Sequence, residues 1–385
     1  MTSSKIMNNL PLILIGVYSI LATFPVERKC GSNMENLWLD VVLVVDNSEG
    51  MTNDGLAAIS SKLASIFSPA QIGTNPSNSK TTRIGMVTYN SNATVDAHLN
   101  HNWSKNDGML DFYPMMSKIS EDSTSFVKYG LQAAQDLLLS ESYGSDRSHY
   151  KKMIIVCAST YKGTGKDDPV PVAIGVKARG IKILTIAYDQ GNNKNVEELA
   201  RISSPGLSFK QDASIKQIQE ALLEVNCFCP STKWHQYRTP YQSYGTCIQP
   251  VNLPSTWTAA NNSCHYLWNN SYLASEFTPE KSQFIIEIVK TTDKMDDAYH
   301  IGLLRIDGEW YWDQPCGRVS VGNYENWAYN FPSQSEDLSV GMAFKAIGDP
   351  LKWKNVEPLW QTSGYVCETA ACDTDNYCDA SFGDY

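Results

Sequence analysis

The stretch "DVVLVVDNSEGMT", residues 40–52, decides the fold of the first half of the chain. It begins as a near-continuous apolar run, which is typical of a strand buried on both faces of a parallel sheet. The run ends on Asp46, Ser48 follows two residues later, and a helical pattern begins shortly afterwards. Ligands bind where the carboxyl ends of parallel strands meet. Asp46 and Ser48 are therefore candidates either for a cation site or for hydrogen bonding in the loop and capping of the next helix.

The same alternation of strands and helices extends from Leu37 to about Val225. Strand patterns recur at 82–90, 93–99, 151–159 and 181–189, and helical patterns recur at 54–67, 125–139, 169–180, 195–203 and 214–225. Strands alternating with helices of this length predict an α/β doubly wound sheet with helices on both faces.

The second half of the chain has a different character. A length of 385 residues predicts two or three domains. After "NCFCP", residues 226–230, helical patterns become scarce, while Trp, Tyr and Cys become denser. Because almost no linker separates the two parts, we expect two domains that lie close together. A net charge of −10 without any Lys/Arg run argues against a nucleic-acid partner.

The N-terminus has the pattern of a secretory signal. Lys5 precedes the apolar run 10–21, which is too short to span a bilayer and suits a signal-peptide core. We predict a signal peptide over residues 1–23, and no other apolar stretch has spanning length. Ten cysteines fit an oxidising compartment. We therefore expect a secreted, extracellular protein without a membrane span, with glycan acceptors at the four Asn-X-Ser/Thr sites Asn92, Asn102, Asn261 and Asn269.

Residues 37–226 resemble the von Willebrand factor type A domain in the order of their strands and in the segment "VVDNSEGM". The metal site of that family uses an Asp-X-Ser-X-Ser turn, a Thr from a second loop and an Asp after the fourth strand. Asp46 and Ser48 match this pattern, and either Thr124 or Ser125 can fill the Thr role.

Two positions of the family's metal site are lost. Gly50 stands in place of the second Ser, and "AST", residues 158–160, stands where the Asp belongs. With fewer anionic oxygens, a divalent ion is poorly compensated for its lost hydration. We therefore expect no cofactor, or at most weak binding of Mg²⁺ or Ca²⁺, and Asp46 and Ser48 then serve local hydrogen bonding.

Residues 229–369 carry eight landmarks in a fixed order, from "CPSTKWHQY" and "YGTC" through "HIGLLRIDGEWYWDQP" to "YVCE". Together they resemble the C-type lectin-like domain, including the hairpin extension of its long form. The resemblance implies an α+β fold and two disulfides, Cys229–Cys247 and Cys264–Cys367. Residues 370–385 then form a C-terminal tail.

Pairing among the other six cysteines stays open. Cys30 and Cys227 flank the first domain at its two ends, which lie near each other in such a fold, so these residues can form a bridge. Cys372 and Cys378 can pair locally. One cysteine in a central strand and one in the second domain are left without an assigned partner.

Calcium-dependent sugar binding in the C-type lectin family uses a Glu-Pro-Asn or Gln-Pro-Asp motif, a following acid, and Trp-Asn-Asp on the next strand. Here the loop reads "FPS" at 331–333, which keeps the Pro and loses both flanking oxygen donors. Glu336 and Asp337 match the downstream acids. The strand reads "WKN" at 353–355, which places the cation of Lys354 where an Asn ligand is expected. We therefore expect the usual calcium–sugar site to be absent.

The long loop remains the candidate ligand-binding surface, because sugars stack on aromatic faces without a metal and proteins also bind such anchors. Simple packing in the core or the loop is the alternative for each aromatic side chain. The candidate residues are Tyr324, Trp327, Phe331, Ser333, Glu336, Asp337 and Asn355.

The sequence predicts a recognition protein rather than an enzyme, since it lacks His-Glu-X-X-His, Gly-X-Ser-X-Gly and phosphate-loop motifs. The domain pairing resembles a group of nematode lectin-like proteins associated with extracellular recognition and defence against microbes. The partner implied is a glycan or an extracellular protein. The alternative is an extracellular-matrix or adhesion protein whose first domain grips a protein partner.

Overall fold

The computed structural model describes residues 27–379, with the exception of 76, 107–108, 143–145, 189–193, 293–294, 296 and 346–350. The predicted signal peptide and residues 380–385 of the predicted tail lie outside the described residues. Within the described part, no helix combines the length and the apolar composition needed to cross a bilayer.

The first domain is built around a mainly parallel sheet. In chain order its elements are β1 (Leu39–Asp46), α1 (Asn53–Phe67), β2 (Arg83–Tyr89), β3 (Ala93–Ala97), β4 (Lys105–Asn106), β5 (Met109–Leu110), α2 (Val127–Ser142), β6 (Lys151–Ala158), α3 (Val170–Ala178), β7 (Lys182–Ala187), α4 (Lys194–Ala200), β8 (Ser208–Lys210) and α5 (Ile215–Val225). The sheet order is β3-β2-β1-β6-β7-β8, and only the β2–β3 pairing is antiparallel.

Strand β1 is buried along its whole length because helices cover both faces of the sheet. Val41, Leu43 and Val45 pack in the core that includes α1 and α5, whereas Val42 and Val44 pack in the core that includes α2, α3 and α4. The predicted doubly wound sheet is thus confirmed. Because β1 pairs with both β2 and β6, its carboxyl end lies where the strand order reverses, which is where open α/β sheets bind ligands.

The second domain is an α+β fold, as the resemblance implied. Its elements are β9 (His235–Arg238), β10 (Ser243–Ser255), α6 (Trp257–Leu267), β11 (Tyr272–Leu273), α7 (Pro279–Lys290), β12 (Ala298–Ile306), β13 (Glu309–Gln314), β14 (Gly317–Ser320), β15 (Val340–Lys345), β16 (Leu351–Val356) and β17 (Ser363–Ala370). Its sheet has the order β14-β13-β12-β17-β10-β9, with β11 paired to β17, β15 paired to β12, and β16 paired to β15.

Four disulfides join the chain, and all of them are pairs considered from the sequence. They are Cys30–Cys227, Cys229–Cys247, Cys264–Cys367 and Cys372–Cys378. The third joins α6 to β17 across a sequence separation of 103 residues. Closing a loop of this length stabilises the fold by up to about 4–5 kcal/mol in the chain-entropy treatment. Among the described residues, Cys157 and Cys316 are free thiols, the first buried and the second exposed.

Residues 371–379, which we call the C-terminal segment, follow the second domain and contact the first. The Trp38 indole of the first domain donates a hydrogen bond to the Asp373 carbonyl at 2.9 Å, and its ring lies 4.9 Å from that of Tyr377. Arg28 donates two hydrogen bonds, at 2.8 and 3.0 Å, to the Asp373 carboxylate. The start of the predicted tail is therefore an integral part of the domain contact.

A buried cluster of charges fixes residue 27 to the second domain. The ammonium of Lys281 lies 3.0 Å from a carboxylate oxygen of Glu27 and 2.9 Å from one of Glu368. Burial, together with the charge of Glu368, raises the pKa of Glu27 to about 7, although Lys281 opposes the shift. Burial alone would lower the pKa of Lys281, but the two carboxylates raise it.

Candidate functional site

The carboxylate of Asp46 is completely buried at the end of β1 and accepts four hydrogen bonds. One oxygen accepts from the backbone N–H of Ser48 at 2.9 Å. The other accepts from the hydroxyl of Ser125 at 3.0 Å, and from the hydroxyl and the N–H of Ser159 at 2.6 and 3.1 Å. Asp46 therefore ties together three loops at the carboxyl edge of the sheet.

The structure distinguishes the two candidates for the Thr role. Ser125 points its hydroxyl at Asp46, whereas the hydroxyl and the N–H of Thr124 both donate to Asp122. Ser159 was missed as a contributor, although "AST", residues 158–160, lies at the end of a predicted strand. A short polar side chain at the carboxyl end of a parallel strand was the available signal.

The prediction that Asp46 or Ser48 caps the next helix is wrong. The residue that caps α1 is Thr52, whose side-chain oxygen accepts from the N–H of Gly55 at 3.1 Å. Ser48 precedes a short 3-10 turn, Glu49–Met51, without a capping hydrogen bond from its side chain. Its buried hydroxyl has no hydrogen-bond partner among the described residues.

Gly50 lies beside the same group of hydroxyls. A Cβ atom at this position would lie 3.1 Å from the Ser159 hydroxyl and 3.8 Å from that of Ser48. A serine here would therefore reach the cluster. The second serine hydroxyl of the family's metal site is missing only because Gly50 has no side chain, since its backbone already lies beside the other hydroxyls.

The oxygen atoms that could coordinate a metal at this edge do not fit a resident divalent cation. They comprise one carboxylate and several serine hydroxyls, and a hard cation requires more anionic oxygen to replace its hydration shell. Across the described part of the chain, no group of three or more His, Cys, Asp or Glu is arranged to hold a metal. The ammonium of Lys162 also donates to the Ser123 carbonyl on the neighbouring loop, which places a positive charge near the opening.

In the second domain, Asn355 closes the long loop. Its carboxamide oxygen accepts from the N–H of Ser333 at 2.7 Å, and its amide nitrogen donates to the carbonyls of Ser333 and Leu338 at 2.8 and 2.9 Å. Asn355 is almost fully buried. Its side-chain oxygen is therefore engaged by the protein's own backbone, where the family would direct an oxygen at calcium.

Two of the candidate aromatic residues pack against the core. Trp353 is fully buried, and its ring lies 5.5 Å from Tyr324 and 5.7 Å from Trp327. The backbone of Trp327 also pairs with that of Trp353. For Tyr324 and Trp327, the packing interpretation therefore accounts for their positions.

Phe331 packs as well, and the cation of Lys354 is turned toward the same aromatic pair. The rings of Phe331 and Phe344 lie 5.9 Å apart, and the Lys354 ammonium lies 4.7 Å above Phe344. Burial lowers the pKa of Lys354. The Phe331–Pro332 peptide is cis.

The side chains left open to solvent on the long loop are polar or amphipathic. Tyr329 is 91% exposed, and Glu336 and Asp337 are both exposed. We call Tyr329, Glu336 and Asp337 the loop surface. Tyr329 was not among the candidate residues, and packing does not account for its position, because its ring is almost fully exposed.

A buried acid beneath the loop was not predicted. The Glu276 carboxylate accepts hydrogen bonds from the Trp353 indole at 2.8 Å, the Tyr299 hydroxyl at 2.9 Å and the Ser282 hydroxyl at 2.7 Å. Burial raises the pKa of Glu276 even though these donors oppose the shift. Glu276 therefore links α7 to the strands that support the long loop.

Comparisons with known proteins cover both domains. Residues 40–222 match the family model of the von Willebrand factor type A domain. C-type lectin domain-containing protein 160 of Caenorhabditis elegans is 27% identical over 93% of this chain. This chain spans 57% of the length of that relative. The expected combination of a type A domain with a C-type lectin-like domain is confirmed.

Other similarities fall on one domain or the other. A snaclec anticoagulant protein of Deinagkistrodon acutus is 26% identical over 37% of this chain and 84% of its own length. The collagen alpha-5(VI) chain of Mus musculus is 23% identical over 43% of this chain and 6% of its own length. Human lithostathine, a solved structure, is 22% identical over 36% of this chain and 90% of its own, with a TM-score of 0.31.

Three of the four predicted glycan acceptors are exposed. Asn92 and Asn102 lie on loops of the type A domain, and Asn269 follows α6 of the lectin-like domain. Asn261 differs, because it is half-buried on α6 and its amide nitrogen donates to Asp313 at 3.4 Å. Glycosylation stays a prediction, and the geometry favours the three exposed sites over Asn261.

Proposed function

We propose that this protein is a secreted, non-catalytic recognition protein whose lectin-like domain binds carbohydrate or protein ligands without calcium. The observation that carries the proposal is the carboxamide of Asn355. All three of its hydrogen bonds go to the backbone of the long loop, so the loop is held closed by the protein itself. A loop that is ordered without a metal can present a fixed surface in the absence of calcium.

The loop surface has the chemistry for this role. The exposed ring of Tyr329 offers an apolar face and a hydroxyl, a combination that is common at binding interfaces. Glu336 and Asp337 offer carboxylate oxygens that accept hydrogen bonds from sugar hydroxyls or from peptide N–H groups. Metal is not required for either contact.

A glycan array probed with the full chain tests the proposal, with and without EDTA. We expect binding that EDTA leaves unchanged and that Tyr329→Ala weakens at least about tenfold, the usual effect of removing an aromatic anchor. Tyr241→Ala is the matched control, because Tyr241 is 96% exposed and lies outside the long loop. Binding abolished by EDTA would contradict the calcium-independent mechanism.

Secretion and a role in defence against microbes form part of the same proposal. The four disulfides support an oxidising compartment. Expression in insect cells should deliver the protein to the medium, with an N-terminus near residues 23–25 and with glycans removable by glycosidase. The secreted protein should then bind microbial cells in a chelator-insensitive manner, and retention inside the cell would contradict this part.

A matrix or adhesion role is the second candidate. It is favoured by the similarity of a 175-residue stretch to a collagen alpha-5(VI) chain. The full chain can be tested on a panel of purified matrix proteins beside the glycan array. Saturable binding to a matrix protein that Tyr329→Ala leaves unchanged, together with an empty glycan array, would favour this candidate over the first.

A further inference from the structure

His149 lies where the type A domain meets the C-terminal segment. It precedes β6 by two residues, and its Nε2 atom lies 3.0 Å from the hydroxyl of Tyr377. The ring also lines a cleft of about 680 Å³ between the two domains, away from both predicted sites. A change in the charge of this one ring therefore acts directly on the contact between the domains.

Three aromatic side chains hold the imidazole in place. Its centroid lies 4.7 Å from that of Tyr150, 5.8 Å from that of Tyr377 and 6.1 Å from that of Trp38. Trp38 and Tyr150 are buried. Because the ring is packed on several sides, it has little freedom to turn its nitrogen atoms toward water.

The second nitrogen of the imidazole has no hydrogen-bond partner. Nδ1 of His149 is buried and forms no hydrogen bond within the described part of the chain. In the neutral ring this nitrogen can stay unprotonated while the Nε2–H donates to the hydroxyl of Tyr377. Protonation would place an N–H on Nδ1 as well, and a buried donor without an acceptor is costly. The geometry therefore favours the neutral imidazole.

The charges that face His149 from the type A domain are mostly positive. Arg147 lies two residues earlier in the chain, and Lys152 lies at the start of β6. Asp40 is the acid on this side, and it is already paired with Arg147 at 3.0 Å. Burial lowers the pKa of His149, and Arg147 and Lys152 lower it further, although Asp379 and Asp40 oppose the shift.

The titratable groups that face the ring from the C-terminal segment are Tyr377 and Asp379. Tyr377 supplies the hydroxyl at Nε2, and Asp379 supplies the one carboxylate in the described lining of the cleft. Three further cations line the same cleft, which are Lys151, Arg179 and Arg238. Because the described surroundings carry more positive than negative groups, a protonated imidazole would meet net repulsion.

We propose that His149 makes the contact between the type A domain and the C-terminal segment sensitive to pH, because protonation of its ring loosens the segment from the domain. Folding favours the neutral ring, so its contribution is complete above about pH 6.5, the ordinary value for histidine. The contribution is lost as pH falls through the lower value of the folded protein. This proposal is independent of ligand binding by the loop surface.

Solvent exchange of the Trp38 indole hydrogen, followed by NMR on the full chain, tests the proposal. This hydrogen bond to the Asp373 carbonyl crosses the contact, so its exchange reports how often the contact opens. After correction for the intrinsic effect of pH on exchange, the wild type should open at least about twofold more often at about pH 5 than at about pH 7.5. His149→Gln, which cannot be protonated in this range, should open equally often at both.

The matched control is His265→Gln, at an exposed position on the last turn of α6. It should keep the pH dependence of the wild type, because its ring lies outside the domain contact. Glu27 stabilises the fold in the opposite direction as pH falls, but it is present in all three proteins and cancels in the comparison.

A second measurement uses the wild type alone and does not depend on how well a variant folds. The NMR signal of the His149 ring, identified by its absence from the spectrum of His149→Gln, should give a pKa below the ordinary 6.5. Any one of three results would overturn the proposal. They are equal exchange of the Trp38 indole at both pH values in the wild type, wild-type pH dependence in His149→Gln, and a pKa of His149 at or above 6.5.

Discussion

Asp46 and Asn355 use their polar atoms in the same way, although they lie in different domains. Each stands at a position from which its family directs oxygen toward a metal, and each is instead surrounded by hydrogen-bond donors or acceptors of the protein. A buried polar group without partners costs about 1–3 kcal/mol. Both residues are therefore expected to contribute to stability through the loops that they connect.

Replacing Asn355 by alanine should release the long loop. The substitution removes three hydrogen bonds and leaves backbone groups of Ser333 and Leu338 unpaired. We expect the free energy of unfolding to fall by about 1–3 kcal/mol in urea denaturation. Asn100→Ala, at an exposed turn, should change it by less than about 0.5 kcal/mol. Equal stability of the two variants would show that the loop does not depend on Asn355.

The type A site should regain metal binding when its two lost ligands are restored. In the double variant Gly50→Ser and Ser159→Asp, the new carboxylate lies beside buried Asp46 and repels it. The variant should therefore unfold at a lower temperature than the wild type in EDTA, and Mg²⁺ should raise that temperature. The wild type should show little response to Mg²⁺, and a response as large as that of the variant would contradict the present account of the site.

Residue identity alone predicted part of these sites. Asp46, Ser48 and Asn355 could be located because they stand in recognisable motifs. Thr124 and Ser125 could not be told apart, because neighbouring hydroxyl residues differ only in the direction that the folded loop gives them. The burial of Lys281 was unpredictable, since its partners Glu27 and Glu368 are distant in sequence.

At the scale of elements, long periodic segments were predicted and short ones were not. The helix at 214–225 carries a full amphipathic pattern and begins with a capping box at Ser214. Strand β8 and the hairpin β4–β5 have only three and two residues per strand, too few to show a period. Their existence depends on neighbouring strands rather than on their own sequence.

The segment that contains Glu27 should make stability depend on pH. The pKa of Glu27 is raised to about 7 in the folded protein, so folding favours the protonated form. Its contribution is complete below about pH 4.5, the ordinary value, and is lost as pH rises through about 7. As pH rises through this window, the free energy of unfolding of the wild type should therefore fall relative to that of Glu27→Gln.

Chemical denaturation of both proteins from pH 4 to pH 8 measures this difference. Glu276 also has a raised pKa, but it is present in both proteins and cancels. Glu280→Gln, on the first turn of α7, serves as a matched control and should give parallel curves. A constant difference between wild type and Glu27→Gln would mean that Glu27 does not titrate in this window.

At the scale of the whole molecule, Asp373 holds the two domains to each other. Its carboxylate accepts from Arg28 and from the N–H groups of Gly31, Asp375 and Asn376. Its carbonyl accepts from the Trp38 indole. Because these contacts join residues 28–31, the type A domain and the C-terminal segment, the domains are expected to unfold together.

Asp373→Ala should separate the two unfolding events. Scanning calorimetry of the wild type should give one transition, and the variant should give two, because the carboxylate that holds residues 28–31 and the turn at 373–376 in place beside Trp38 is lost. Asp375→Asn is the control, since Asp375 is exposed and its neutral variant should retain one transition. A single transition in Asp373→Ala would show that the remaining contacts suffice.

The bond between Cys30 and Cys227 has a mechanical consequence. The two Cα atoms are 5.8 Å apart although 197 positions separate them in sequence. Fully stretched, that length of chain would span about 650 Å. When the molecule is pulled from its two ends, tension crosses the sulfur bridge and bypasses the type A domain, which stays folded under load. Only reduction of the disulfide would allow the residues between Cys30 and Cys227 to extend.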